Sequence, residues 1–106
     1  MSTSRWTALI VNYNSVEYLA ACIDALEANT SPPAEVLVVD NASSDGSVDV
    51  LRADPRVRLL AQSHNLGFAG GANAGLAAVT TEFALLLNPD VVVEPTFGAE
   101  LVAAFD

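Results

Sequence analysis

Val36-Leu37-Val38-Val39-Asp40, followed by Asn41-Ala42-Ser43-Ser44-Asp45-Gly46, is an apolar run that stops on a carboxylate and breaks into a polar turn. An uninterrupted, β-branched stretch of this kind bounded by turn formers reads as a strand buried on both faces, the signature of a parallel sheet. In open α/β sheets the C-terminal ends of such strands open into the crevice that holds ligands. Asp40 stands at that end and is a candidate for recognising the polar edge of a ligand. Gly46 and the Ser/Asn cluster supply the bend into the next helix.

Working outward, the same pattern recurs. Upstream, Thr7 to Val11 is a short apolar run that exits at Asn12-Tyr13-Asn14-Ser15, after a polar lead from Met1 to Trp6. Val16 to Ala28 then carries Leu19, Ile23 and Leu26 at helical spacing, with Asn14 or Ser15 as its cap and Ser31-Pro32-Pro33 as its breaker. Downstream, Ser47 to about Ala53 is a short helix and Val57 to Ala61 a third strand, with Gln62-Ser63-His64-Asn65 as its exit. A glycine-punctuated segment becomes helical by Ala72. Glu82 to Leu87 is a fourth strand that stops at Asn88-Pro89-Asp90, with Val91 to Val93 as a brief extension, and Pro95 or Thr96 opens a last helix. Alternating strands and helices imply an α/β fold: a three-layer parallel sheet with right-handed crossovers. With the first strand central, the expected order is 3-2-1-4. The fourth strand then lies at an edge, where an uncovered apolar strand invites pairing with a second copy or with further chain.

A chain of 106 residues is a single domain, and short for an enzyme that holds two substrates. Thirteen acidic residues against four arginines and no lysine give a net charge of −9, which disfavours nucleic acid and anionic membrane faces as partners. A phosphorylated small molecule remains compatible if a divalent cation bridges it to the protein. Cys22 is the single cysteine, so no internal disulfide forms, and its apolar neighbours on a helix face place it in the core. With neither a signal peptide nor a spanning segment in view, the expected location is the cytoplasm.

Four polar clusters fall at strand ends: Asn12-Tyr13-Asn14, Asp40 to Gly46, His64 to Gly71, and Asn88-Pro89-Asp90. In a parallel sheet these meet along one rim, whereas the connectors at the other rim are ordinary turns. Asn88 and Asp90 present an amide oxygen and a carboxylate that suit Mg²⁺ or Mn²⁺, ions content with one or two protein oxygens plus water and phosphate. The glycines from Gly67 to Gly75 either bring free backbone N–H groups of a helix start to an anion or let that helix pack closely on the sheet. Asn41-x-Ser43-x-Asp45-Gly46 starts like a calcium loop, but Arg52 occupies the place of the bidentate glutamate. A phosphoacceptor role for Asp40 needs an acidic pair after the first strand, and Asn12-Tyr13-Asn14 carries no carboxylate. His64 is equally a phosphate contact or a loop histidine satisfied by its own backbone.

Taken together, Val11-Asn12-Tyr13-Asn14, Val38 to Ser47, Asn65 to Asn73 and Leu86-Leu87-Asn88-Pro89-Asp90 resemble the N-terminal half of family 2 glycosyltransferases, most closely the rhamnosyltransferase-like members. The resemblance implies a nucleotide-diphospho-sugar transferase (GT-A) fold, truncated here to its single donor-binding domain over residues 1–106. It also implies an inverting transfer of a sugar, rhamnose among the options, from a nucleotide-diphosphate donor to a cell-envelope glycan or lipid-linked acceptor. By that resemblance Tyr13 lies against the base and Asp40 accepts from the base N3–H. Val11, Ser43, Asn88 and the Asn65 to Asn73 loop, with Asn65, Gly67 and Asn73 as its named contacts, line the nucleotide-sugar pocket. Asp90 holds the divalent cation, Mn²⁺ or Mg²⁺, with Asn88 standing where the family motif has its first aspartate. The general base and the acceptor pocket lie downstream of that motif in the family, so no catalytic base is expected in this chain. The longer enzyme is expected to lie peripheral to the inner membrane face. The rival expectations are a noncatalytic nucleotide-sugar-binding module of the same fold, and a fragment that dimerises through its sheet edge.

Overall fold

In the computed structural model, which describes residues 4–105, strands and helices alternate through the described residues. The elements are β1 (Trp6–Asn12), α1 (Val16–Glu27), β2 (Glu35–Asp40), α2 (Ser47–Ala53), β3 (Val57–Ala61), α3 (Gly67–Leu76), β4 (Phe83–Leu87) and α4 (Phe97–Phe105). The strands form one parallel sheet in the order β3-β2-β1-β4, as the alternation predicts. The register aligns Asn12 with Asp40, Asp40 with Ala61, and Ile10 with Leu87, so the four strand ends lie along one rim.

Alternation along the central strands divides the core in two. One face carries Trp6, Ala8, Ile10, Val36 and Val38 against Leu19, Cys22, Ile23 and Leu26 of α1, Leu51 of α2, and Phe97, Leu101 and Val102 of α4. The other face carries Leu9, Leu37 and Val39 beneath α3 and the residues after it. The glycines of α3 set how closely it lies. A Cβ at Gly75 would collide with Leu9 and stand 3.1 Å from Val39 Cγ2, and one at Gly71 would stand 2.8 Å from Val11 Cγ1. Close packing on the sheet thus accounts for the second half of the glycine-rich segment.

Several boundaries differ from the sequence reading, each for a tertiary reason. Trp6 belongs to β1 and is fully buried; its Nε1–H donates to Ser31 O at 3.2 Å and its ring meets Phe97 edge-on at 6.1 Å. Helix α3, expected to be formed by Ala72 and to last to about Val79, starts at Gly67, where turn residues and a neighbouring asparagine organise its first turn, and ends at Leu76. Val91 to Val93 does not extend β4. The chain leaves the sheet there, and Val91 and Val93 pack on the α1 face as an extended strap. The buried Asn29 anchors that strap: its Nδ2 donates to Glu94 O at 2.8 Å and its Oδ1 accepts from Gly98 N at 2.7 Å.

Candidate functional site

The strand-end loops are tied to one another before they form any pocket. Asp40, the last residue of β2, has no exposed surface. Its Oδ1 accepts from Asn12 Nδ2 at 2.9 Å and from the Ser43 hydroxyl at 2.7 Å, and its Oδ2 accepts from Ser43 N at 2.9 Å. Asn12 and Asp40 are aligned neighbours on β1 and β2, so one carboxylate holds both loop origins. Asn12 Oδ1 is buried without a hydrogen-bond partner, and the structure offers no compensation for it.

A second layer of bonds joins the loops themselves. Asn14, whose φ of 49° lies in the left-handed region, donates its N–H to Ser43 Oγ at 2.9 Å, and its Oδ1 accepts from Ser44 N at 2.8 Å. Helix α1 is not capped by Ser15, whose hydroxyl turns back to donate to Tyr13 O at 3.2 Å. Asp45 caps it from the next loop, accepting from Val16 N at 3.0 Å through Oδ2 while Oδ1 takes Ser47 N and the Ser47 hydroxyl at 3.0 and 2.5 Å. These bonds, the Ser47 hydroxyl foremost, hold the Asp45 carboxyl below its ordinary value of 3.8.

On the α3 side of this framework lies a cleft of about 310 Å³ lined by Val11, Tyr13, Ser15, Asn41, Asn65, Gly67, Phe68 and Pro89. Val11 and Tyr13 come from the end of β1, Asn41 follows β2, Asn65 to Phe68 open α3, and Pro89 follows β4. Asn41 fastens the entry to α3, donating from Nδ2 to Gly67 O at 2.9 Å and accepting from Leu66 N at 3.4 Å. Gly67 itself has φ +75°, a conformation an L side chain strains to adopt, and its N–H donates to Asn65 Oδ1 at 2.8 Å.

Four of the residues expected at a site, Val11, Tyr13, Asn65 and Gly67, stand together in the cleft wall. Asp40 and Ser43 sit in the framework beneath it. Asn88 and Asp90 flank the lining residue Pro89 and are exposed, and Asn73 is exposed on α3. His64 is exposed beside Ser63, whose Oγ lies 3.1 Å from its Nδ1. Burial pushes the Cys22 thiol up to about 11, and the negative charge of Asp90 adds to the shift. Asn41, Ser15 and Pro89 are lining residues that the sequence reading did not assign to the site, whereas Phe68 falls within the Asn65 to Asn73 loop that the resemblance assigns to the pocket. For Asn41 a signal existed: successive strand residues point to opposite faces, so Asn41 follows Val39 and Val11 toward α3 while Asp40 follows Asn12 away from it.

The charges are distributed unequally. The cleft lining contains no Asp, Glu, Lys, Arg or His. All four arginines lie toward the strand starts: Arg5 pairs with Glu82 at 2.7 Å, Arg56 with Asp24 and Asp54 at 2.8 and 2.9 Å, Arg58 with Glu35 at 3.2 Å, and Arg52 is in the last turn of α2. Among the described residues no group of three or more His, Cys, Asp or Glu side chains is placed to hold a metal ion. A hard divalent cation asks for less, since water and phosphate complete its shell, and the exposed Asn88 amide and Asp90 carboxylate fit that requirement.

The parallel sheet of order 3-2-1-4 with loops converging on a rim cleft, together with the superpositions that follow, gives the nucleotide-diphospho-sugar transferase (GT-A) fold, here in part. The crystal structure of S. aureus TarS 1-349 superposes with a TM-score of 0.83 at 22% identity, over 93% of this chain and 31% of that one. The mannosyltransferase PcManGT from Pyrobaculum calidifontis, in complex with GDP-Man and Mn2+, superposes with a TM-score of 0.74 at 26% identity, over 81% of this chain and 27% of that one. The family model for glycosyl transferase family 2 matches residues 7–106, and the chain belongs to that family. Among curated relatives, the succinoglycan biosynthesis protein ExoO of Rhizobium meliloti is 35% identical over 91 residues, 84% of this chain and 26% of that protein. An uncharacterized glycosyltransferase of Nostoc, alr2836, is 34% identical over 104 residues, 93% of this chain and 32% of that protein. The chain therefore spans about a quarter to a third of the length of these relatives.

Proposed function

We propose that this chain is the donor-binding portion of an inverting glycosyltransferase. It takes a nucleotide-diphosphate sugar, with dTDP- or UDP-rhamnose as the preferred class, for transfer to a cell-envelope glycan or lipid-linked acceptor. The observation that carries this reading is the convergence of all four strand-end loops on one cleft at the carboxyl rim, fixed from below by the Asn12-Asp40-Ser43 network. Tyr13, Asn65 and Gly67 hold the nucleoside, with Val11 at the back of the cleft and the buried Asn41, bonded to Gly67 and Leu66, fixing the wall they form. Asp40 and Ser43 act by positioning Tyr13 and Asn41. Asn73 lies further along α3, on its exposed side.

The diphosphate extends toward Asn88 and Asp90. With the arginines at the opposite rim, its charge is balanced by a divalent cation, Mn²⁺ or Mg²⁺, held by Asp90 with help from Asn88. Such an ion stabilises the negative charge that develops on a leaving diphosphate. The deprotonation of the acceptor is assigned to no residue of this chain: Glu94 sits on the strap and Glu100 on α4. No helix among the described residues is long and apolar enough to cross a membrane, and we place the chain in the cytoplasm, at the inner face of the membrane when part of a longer enzyme. The open edge of β4 is the surface through which a second copy would pair.

Calorimetric titration with UDP and dTDP, with and without Mn²⁺, tests the reading. Binding strengthened by the ion is the expected result; a parent chain that binds neither nucleotide under either condition refutes it.

A further inference from the structure

We propose that Phe68 is a base-contacting residue, a second ring in the cleft besides Tyr13, and a determinant of nucleotide affinity. The inference rests on the donor-site reading above and deepens it. Tyr13 and Phe68 are 51% and 53% exposed, and both line the same cleft from different elements. The ring pairs among the described residues are Trp6 with Phe97 and Phe83 with Phe105, so neither cleft ring is committed to an internal aromatic partner. A phenyl group left half in water forgoes much of what its burial would contribute, and one on a cleft wall regains it when a flat ligand covers it.

The placement of Phe68 is built rather than incidental. The preceding turn is held on both sides by Asn41, through Gly67 O at 2.9 Å and Leu66 N at 3.4 Å, and Asn65 Oδ1 closes it on Gly67 N at 2.8 Å. Gly67 with φ +75° sets the direction in which the chain enters α3. One turn on, Gly71 lets the helix approach until an added Cβ would stand 2.8 Å from Val11 Cγ1, which fixes the distance between α3 and the end of β1. The backbone that carries Phe68 is thus pinned to the loop that carries Asn41.

The chemistry of the wall points to the base rather than to the phosphates. The lining is two aromatic rings, two carboxamides, the Tyr13 and Ser15 hydroxyls and apolar groups, without an Asp, Glu, Lys, Arg or His, and its volume of about 310 Å³ is at the small end for ligand pockets. Of the parts of a nucleotide-diphosphate sugar, the neutral flat base matches such a wall. Stacking on an aromatic ring tolerates any base, so the ring governs affinity while the exposed Asn65 amide is left to read the edge, the buried Asn41 amide being already bonded to Gly67 and Leu66.

The test compares the parent chain with Phe68→Ala and Phe68→Trp, titrated with whichever of UDP, dTDP and GDP the parent binds most tightly. Phe68→Ala should weaken binding about tenfold with an unchanged melting midpoint. Phe68→Trp should restore affinity, and its indole emission should be quenched by the nucleotide. Unchanged affinity in Phe68→Ala overturns the inference, as does a loss of affinity that comes with a lowered midpoint and is not rescued by Phe68→Trp. A parent chain that binds none of the three nucleotides refutes the donor-site reading itself, and this inference with it.

Discussion

Replacing Asp40 by alanine separates a framework role from direct ligand contact. The carboxylate is fully buried and accepts three hydrogen bonds, from Asn12 Nδ2 at 2.9 Å, Ser43 Oγ at 2.7 Å and Ser43 N at 2.9 Å. Alanine leaves the Ser43 N–H and the Asn12 amide short of an acceptor. Each stranded donor costs about 1–3 kcal/mol, while the Ser43 hydroxyl can rotate to a new partner. A sum of about 3 kcal/mol follows, a large share of the roughly 5–15 kcal/mol that stabilises a domain of this kind. At about 4–8 °C per kcal/mol, the melting midpoint falls on the order of 15 °C. Circular dichroism during thermal and urea unfolding measures this directly. Asp40→Asn, which keeps one acceptor oxygen, should fall between the parent and Asp40→Ala. Nucleotide binding by the folded fraction of either variant should weaken, because Tyr13 and Asn41 lose their common anchor. If Asp40→Ala melts within about 3 °C of the parent yet loses nucleotide binding, the carboxylate is a ligand contact and its assignment to the framework is wrong.

Asp90→Ala should abolish the increment in UDP or dTDP affinity that Mn²⁺ supplies and leave metal-free binding alone; an unchanged Mn²⁺ increment places the ion elsewhere. Gly98→Ala drives a Cβ into the Ser31 carbonyl, a backbone atom that cannot step aside, so stability should drop by about 2 kcal/mol or more, readable as a lower urea midpoint. Asp45 has its folded carboxyl held below 3.8, so its contribution is present above that value and is lost as pH falls through the lowered folded value. The acid limb of the stability curve should therefore flatten in Asp45→Asn, and an unaltered limb would mean that Asp45 does not cap α1.

Much of the architecture is local in origin. The run from Val36 to Val39, the apolar core of β4 and the spacing of Leu19, Ile23 and Leu26 each define their element by period alone, and alternation then implies the parallel order β3-β2-β1-β4. Burial, not local propensity, carries Trp6 into β1: its ring covers Phe97, a residue far along the chain. Nor does period show that Val91 and Val93 leave the sheet, since that route depends on Asn29 reaching Glu94 and Gly98.

The sequence by itself determined the strands, their order, and the rim on which Tyr13, Asp40, Asn65, Asn88 and Asp90 gather, because hydrophobic period and chain connectivity are properties of the sequence. Only the tertiary structure decided which of these side chains form the cleft and which support it. Asp40 and Asn41 are adjacent and both polar. The pleat sends the first to a buried network with Asn12 and Ser43, and the second toward α3, where it holds the turn that presents Phe68. The pleat sets which face a side chain takes, but which face holds the cleft, and whether a side chain's hydrogen bonds are already used within the fold, depend on what packs against it from elsewhere in the chain.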